Sequence, residues 1–267
     1  MSNYSSSVLL DPGVSTPAED QPEKVVMVVM PTYNEKENIA RMLETLFRLG
    51  IPNLKVLVVD DNSPDGTGNL VEGLIKEQYT GKVEILHRPG KLGLGPAYIA
   101  GFQYALRQGA AFIVEMDADF SHDPATLKRF LEVMPESDVA VGSRYVAGGS
   151  LDKRWKLIRR IISKGGSVYA RTILRLKVHD ATAGFKMFRR EVLERLPLDQ
   201  IRSNGYCFQI EIAYLCEKNH LRVTEVPIHF SERMAGTSKM SPRIAAEAAW
   251  KVWQIRFRYE VSTSYYI

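Results

Sequence analysis

The chain has 267 residues, 45% hydrophobic and 25% charged, with a formal net charge of +4; this is the profile of one or two globular domains able to bury a sizeable core. So mild a charge argues against a general nucleic-acid binder, and no apolar run approaches the roughly 18 residues of a membrane span. Cys207 and Cys216 lack metal-site spacing and read as reduced core thiols.

Residues 1–23 are rich in Ser, Pro and acidic side chains, with only Val8-Leu9-Leu10 as an apolar stretch and no basic run before it. They read as a disordered tail rather than a signal peptide, and the folded chain is expected to begin near Lys24. "VVMVVMP" (25–31) is a β-branched run of buried-strand type. Asn34 is expected to cap a helix through Leu49, with Ile39, Met42, Leu43, Leu46 and Phe47 on one face and Gly50 closing it. "LKVLVVDD" (54–61) is a second strand, "NSPDGTG" is turn chemistry, and a helix precedes the strand "KVEILH" (82–87). A helix from Pro96 to Arg107 leads to the strand "AFIVEMD" (111–117), Pro124 suits the first turn of another helix, and "DVAVGSRY" (138–145) is a further strand. Strands separated mostly by helices predict a parallel α/β sheet.

Such sheets bind ligands at the carboxyl ends of their strands. Those ends carry Thr32, Tyr33, Asn34 and Glu35, then Asp60 and Asp61, then Asp117 and Asp119, then Ser143 and Arg144. One acidic residue alone is as well explained as a helix cap; four polar strand ends together point to a site. In an extended segment Asp117 and Asp119 face the same way and can present two oxygens to one hard cation such as Mg²⁺, with phosphate and water completing the shell. His122 can be a third ligand, although a loop or capping role is the more ordinary reading. "PGKLGLGPA" (89–97) reads as a flexible loop on the nucleotide side, and neither a P-loop nor a dinucleotide-binding glycine fingerprint is present.

"VVMPTYNEKENI", "VLVVDDNSPDGT", "MDADFSHDP", "VGSRYV", "DATAGFKMFRREVL", "GYCFQIE" and "ERMAGTSKM" occur in this order between Val25 and Met240. Together they resemble the family 2 glycosyltransferases, specifically the polyprenol (dolichol) phosphate mannose synthases. The resemblance implies a GT-A fold, a Rossmann-like, mainly parallel sheet flanked by helices, over residues 24–240, with a C-terminal amphipathic helix and tail over 241–267. It also implies inverting transfer of mannose from GDP-mannose to a polyprenyl (dolichyl) phosphate with Mg²⁺ or Mn²⁺. On the same basis Pro31, Tyr33, Glu35 and Asp60 contact the nucleotide, and Asp117 and Asp119 take the metal and diphosphate. Asp119, Arg233 and Lys239 serve catalysis, the last two also gripping the donor. Arg144, Arg159 and Ser163 hold the acceptor phosphate. Many relatives carry Gln where this chain has Ser121, a shorter ligand.

Two basic stretches bear on the lipid. Residues 151–177 contain nine Lys or Arg and one Asp, with Leu157, Ile161, Val168, Ile173 and Leu176 at roughly helical spacing around Gly165-Gly166. Residues 243–259 carry Trp250 and Trp253. Each stripe either packs on the sheet or lies on an anionic membrane surface. A polyprenyl substrate favours the membrane for the first, which places the protein on the cytoplasmic face of a membrane as a peripheral enzyme. The loop with Arg233, Gly236, Thr237, Ser238 and Lys239 reads as a flap over phosphates, or else as an ordinary solvated turn. Two rival functions remain at this point: a polyprenyl-phosphate glucosyltransferase using UDP-glucose, and a catalytically inactive scaffold attached to a membrane.

Overall fold

The computed structural model describes residues 24–155, 157–232 and 242–261. The chain runs β1 (Val26–Thr32), α1 (Lys36–Arg48), β2 (Leu54–Asp60), α2 (Thr67–Glu77), β3 (Val83–His87), α3 (Leu94–Arg107), β4 (Phe112–Glu115), α4 (Thr126–Val133), β5 (Val139–Ser143), β6 (Ser150–Leu151) and α5 (Leu157–Leu174). It continues with β7 (Lys186–Arg189), α6 (Arg190–Arg195), α7 (Tyr206–Lys218), β8 (Val223–Pro227), β9 (His229–Phe230) and α8 (Pro242–Val261). Seven strands form one sheet in the order β3-β2-β1-β4-β7-β5-β8, and β6 pairs with β9 beside it.

The strands are uniformly apolar because both faces of the sheet are covered. Met27 and Val29 of β1 join the core under α3, α5, α7 and α8. Val26, Val28 and Met30 point the other way, into the core with α1 and α4. Gly101 lets α3 lie directly on β1, since a Cβ there would meet Val29 Cγ1 at 2.2 Å.

The expected parallel sheet holds except at β7. That strand runs antiparallel to both neighbours, pairing Lys186 with Glu115 of β4 and with Val141 of β5. It interrupts what is otherwise a parallel array. Helix α8 packs on α5 and α7, and its Val252, Ile255 and Tyr259 are buried in the same core as α3. Both cysteines are buried thiols, and burial pushes Cys216 up to about 12. No helix among the described residues is long and apolar enough to cross a membrane.

Asn34 does not cap α1. It adopts a left-handed φ of 63° and its N–H donates to Ser63 Oγ at 3.1 Å, which leaves Glu35 at the cap position. The first N–H groups of α1 are satisfied instead from the "NSPDGT" turn: Glu35 N–H donates to Thr67 Oγ1 and Lys36 N–H to Asp65 Oδ2, both at 3.1 Å. The two motifs are thus one interlocked unit. The glycine loop after β3 is anchored where α3 begins. Arg88 donates to the Gly93 carbonyl at 3.3 Å, and Gly95 N–H donates to Asn204 Oδ1 at 3.1 Å as α3 begins.

Candidate active site

The strand order reverses at β1, whose neighbours are β2 and β4, so the crevice beyond Thr32 and Glu115 is the expected ligand position. At its β1–β2 side, Asp60 is buried and accepts from Thr32 Oγ1 at 2.9 Å and from the Ser63 hydroxyl at 2.6 Å. Beside it Asp61 takes Arg88 Nη1 at 2.6 Å. Burial raises the Asp61 carboxyl despite that guanidinium. The Glu35 carboxylate accepts from Asn38 at 2.8 Å, and Lys91 lies 3.9 Å above the ring of Tyr33. Pro31, Tyr33, Glu35 and Asp60 therefore gather on one edge.

Asp117 and Asp119 stand past the end of β4 in a bent segment, not in the extended geometry expected for them. The bend is local chemistry: Asp119 Oδ1 accepts the Ser121 N–H at 3.0 Å, and Phe120 between them takes a φ of 60°. Tyr98 donates to Asp117 Oδ1 at 3.2 Å, and burial keeps its phenol protonated. His122 is buried, stacked on Phe185, with Nδ1 accepting the Asp117 N–H at 3.4 Å. That contact assigns the ring proton to Nε2 and makes His122 a support for Asp117.

A metal fits this loop by its donor set. Two carboxylates and a hydroxyl are hard oxygen ligands, and Ser121 Oγ is buried without a hydrogen-bond partner among the described residues. No group of three His, Cys, Asp or Glu among the described residues can hold an ion by itself, so the shell would have to be completed from outside the carboxylates, as Mg²⁺ and Mn²⁺ sites on phosphates are.

The expected acceptor residues are linked through shared aromatic neighbours, Arg144 to Ser163 by Tyr145 and to Arg159 by Phe230 and Trp155, and each already has a partner. Arg144 is buried and grips Asp180 through Nε and Nη2, both at 2.7 Å, with Thr182 Oγ1 also 2.7 Å from Nη2. Burial works against the Arg144 charge, and the Asp180 carboxylate more than offsets it, so the guanidinium keeps its proton firmly. Burial likewise opposes the Asp180 charge, and Arg144 holds that carboxyl below its usual value. Ser163 of α5 is 2.8 Å from the Tyr145 hydroxyl. Arg159, one turn before it, binds Glu232 at 2.7 Å and lies 3.5 Å over the Trp155 ring. Arg233 and Lys239 lie outside the described residues.

Sequence reasoning missed three contributors. Asp180, the first residue of "DATAGFKMFRREVL", has no sequence signal that links it to Arg144, yet it neutralises that guanidinium. Lys186, buried in β7, meets Glu115 Oε1 at 2.6 Å and also the Ala183 carbonyl and Gln209 Oε1, fixing the strand that delivers Asp117. Phe230 carries no chemical signal in the sequence, yet its ring lies 5.3 Å from His122 and 5.6 Å from Trp155.

The profile described as Glycosyl transferase family 2 matches residues 27–197. The polyprenol monophosphomannose synthase of Mycolicibacterium smegmatis is 44% identical over 245 residues, 91% of this chain and 91% of that protein. The undecaprenyl-phosphate mannosyltransferase of Micrococcus luteus is 44% identical over 237 residues, 88% of this chain and 96% of that protein. Among solved structures, glucosyl-3-phosphoglycerate synthase from Mycobacterium tuberculosis, in complex with Mn²⁺, UDP and glucosyl-3-phosphoglycerate, aligns with a TM-score of 0.61 at 15% identity. The alignment covers 88% of this chain and 80% of that one. A mannosyltransferase from Pyrobaculum calidifontis in complex with GDP-Man and Mn²⁺ aligns at 0.54 and 20% identity, over 87% of this chain and 64% of that one. These structural likenesses concern the fold.

Proposed function

Because this chain belongs to glycosyl transferase family 2, we propose that it transfers mannose from GDP-mannose to a polyprenyl monophosphate. An oxygen of the acceptor phosphate attacks the anomeric carbon, the bond from that carbon to the GDP oxygen breaks, and its electron pair leaves with GDP. A phosphomonoester has a second pKa near 6 and is largely dianionic at neutral pH, so the attack needs no base from the protein. Pro31, Tyr33, Glu35 and Asp60 face the nucleotide. Asp117 and Asp119, with Ser121 as a third oxygen, would hold a Mg²⁺ or Mn²⁺ ion, which when bound supplies positive charge to the departing diphosphate. Arg159 and Ser163 receive the acceptor phosphate, Arg144 sets their surroundings through Asp180 and Tyr145, and Arg233 and Lys239 complete the grip on the donor.

What supports this reading is a carboxylate loop at the β1–β4 switch point and, linked to it through Phe230 and Trp155, a cation and a hydroxyl one turn apart on α5. The 44% identity to two polyprenyl-phosphate mannosyltransferases supports the acceptor class and the sugar. The exposed Leu157, Ile158 and Ile161 beside Arg159 and Arg160 support a peripheral position on a membrane surface; its assignment to the cytoplasmic face is part of the proposal.

The test is an assay of GDP-mannose and UDP-glucose side by side, with a polyprenyl phosphate and Mg²⁺ or Mn²⁺. Lipid-linked mannose is the expected product. Lipid-linked glucose alone would overturn the donor assignment, and no metal-dependent affinity for GDP would favour an inactive scaffold.

A further inference from the structure

One side chain lies between the donor loop and the segment that leads into the acceptor helix. Phe230, on the short strand β9, packs edge-on to His122 with ring centroids 5.3 Å apart and an interplanar angle of 76°. Its other side meets Trp155 at 5.6 Å and 86°. The Arg144 guanidinium lies 5.3 Å from the ring. Each neighbour is one step from proposed chemistry. His122 Nδ1 accepts the Asp117 N–H. Trp155 lies under Arg159 at 3.5 Å. Arg144 is fixed by Asp180.

The backbone around Phe230 is held at both ends of this column. Ser231 N–H donates to the Ser121 carbonyl at 3.1 Å, and Glu232 N–H donates to Asp152 Oδ2 at 3.0 Å. β9 itself pairs with β6, Phe230 opposite Leu151. A shift of this backbone therefore moves either the Ser121 turn or the segment that leads into α5. Close-packed rings change place in discrete steps rather than by smooth deformation. Were a phosphate to draw Arg159 away from Glu232, a displacement of Trp155 would press through Phe230 on His122 and so on the Asp117 backbone.

We propose that Phe230 is a positioning residue that couples the two halves of the site, so that occupancy of the acceptor position alters affinity for the metal–nucleotide and the reverse. The inference rests on the proposed function, because it takes Arg159 as acceptor-facing and Asp117 as metal-facing. Coupling of this kind is reciprocal: each ligand must change the affinity of the other by the same factor.

The test is calorimetric titration of GDP with Mn²⁺, with and without saturating farnesyl phosphate in detergent micelles, and the converse titration, each paired with a thermal melt. In the unaltered protein each ligand is expected to change the other's affinity by about fivefold or more, the lower end of ordinary coupling. In Phe230→Leu the factor is expected to fall to about one, with each separate affinity within about twofold, while Phe230→Tyr, which keeps the ring, retains the coupling. Should the melt show Phe230→Leu unfolded, Phe230→Met takes its place with the same expectation. Coupling that persists in the ring-less variant, or affinities that fall together with melting temperature, would overturn the inference. Two ligands that bind the unaltered protein without influencing each other would overturn it while leaving the function intact. If neither ligand binds at all, the functional reading fails first and takes this one with it.

Discussion

Asp119→Asn keeps an oxygen able to accept the Ser121 N–H but removes one of two charges from the proposed metal loop. Turnover is expected to fall by more than tenfold, roughly 1.4 kcal/mol of barrier. Affinity for GDP should drop in Mn²⁺ and change much less in EDTA; equal loss in both would point to altered folding. Arg159 offers a second test, because Glu232 already occupies it at 2.7 Å. Arg159→Ala is expected to raise KM for polyprenyl phosphate while leaving GDP affinity unchanged, with Lys restoring only part, since a point charge replaces a planar fork. Glu232→Gln should move KM the opposite way by a few fold, the scale of a partly exposed ion pair. At this scale the sequence was readable wherever a residue type implies its chemistry, as at Asp117 and Asp119. It was not readable at Asp180 or Phe230, whose roles depend on neighbours from distant segments: Asp180 lies 36 residues from Arg144, with no local pattern linking them.

Helix α5 carries two different environments along its length. Leu157 is 72% exposed, Ile158 64% and Ile161 58%, whereas Ala170 and Leu174 are in the core. The expected stripe therefore divides: Leu157, Ile161 and Val168 are exposed, with an apolar, basic face turned outward over the first two turns, while Ile173 packs on the core and Leu176, past the end of the helix, is buried. Replacing Leu157 and Ile161 by Glu is expected to abolish sedimentation with phosphatidylglycerol vesicles and to leave activity on a short-chain acceptor in detergent close to that of the parent. Loss of both activities together would assign these positions to packing instead. In α8 the same division runs around the helix: Val252 and Ile255 face the core, Trp250 is 65% exposed, and Trp253 donates Nε1 to the Tyr169 hydroxyl at 3.0 Å. Periodicity identified both helices but not which part of each stripe is covered, because that is decided by what packs against it. The four-residue β7 was missed for a related reason. So short a run gains its strand character from pairing with β4 and β5, which are far away in sequence.

For the molecule as a whole, the Arg144–Asp180 pair ties β5 to the turn ahead of β7, and both charges are almost fully out of water. Asp180→Asn leaves a buried guanidinium without its counter-charge, a loss of about 3–5 kcal/mol of stability, measurable by urea unfolding at pH 7. The pH dependence has a definite sign. Asp180 is held below its unfolded value, so the pair's contribution is fully present above about pH 3.9 and is lost as pH falls through the lower folded value. The gap in stability between parent and variant should therefore stay constant through neutrality and narrow only in strong acid. A gap that closes between pH 5 and 7 would mean that another group governs it.

The antiparallel β7 has a consequence for how this chain is made. β1 to β4 are complete by Glu115 and β5 by Ser143, yet the strand that joins them begins at Lys186. During synthesis the β3-β2-β1-β4 block thus emerges with one edge of β4 unpaired and with Glu115 lacking the lysine that neutralises it. Open apolar edges of this kind invite pairing with other chains, and long-range strand insertion is slow. Insertion of β7 covers that edge and joins β5 to the block, and the far edge of β5 stays open until β8, which emerges last of the seven, pairs with it.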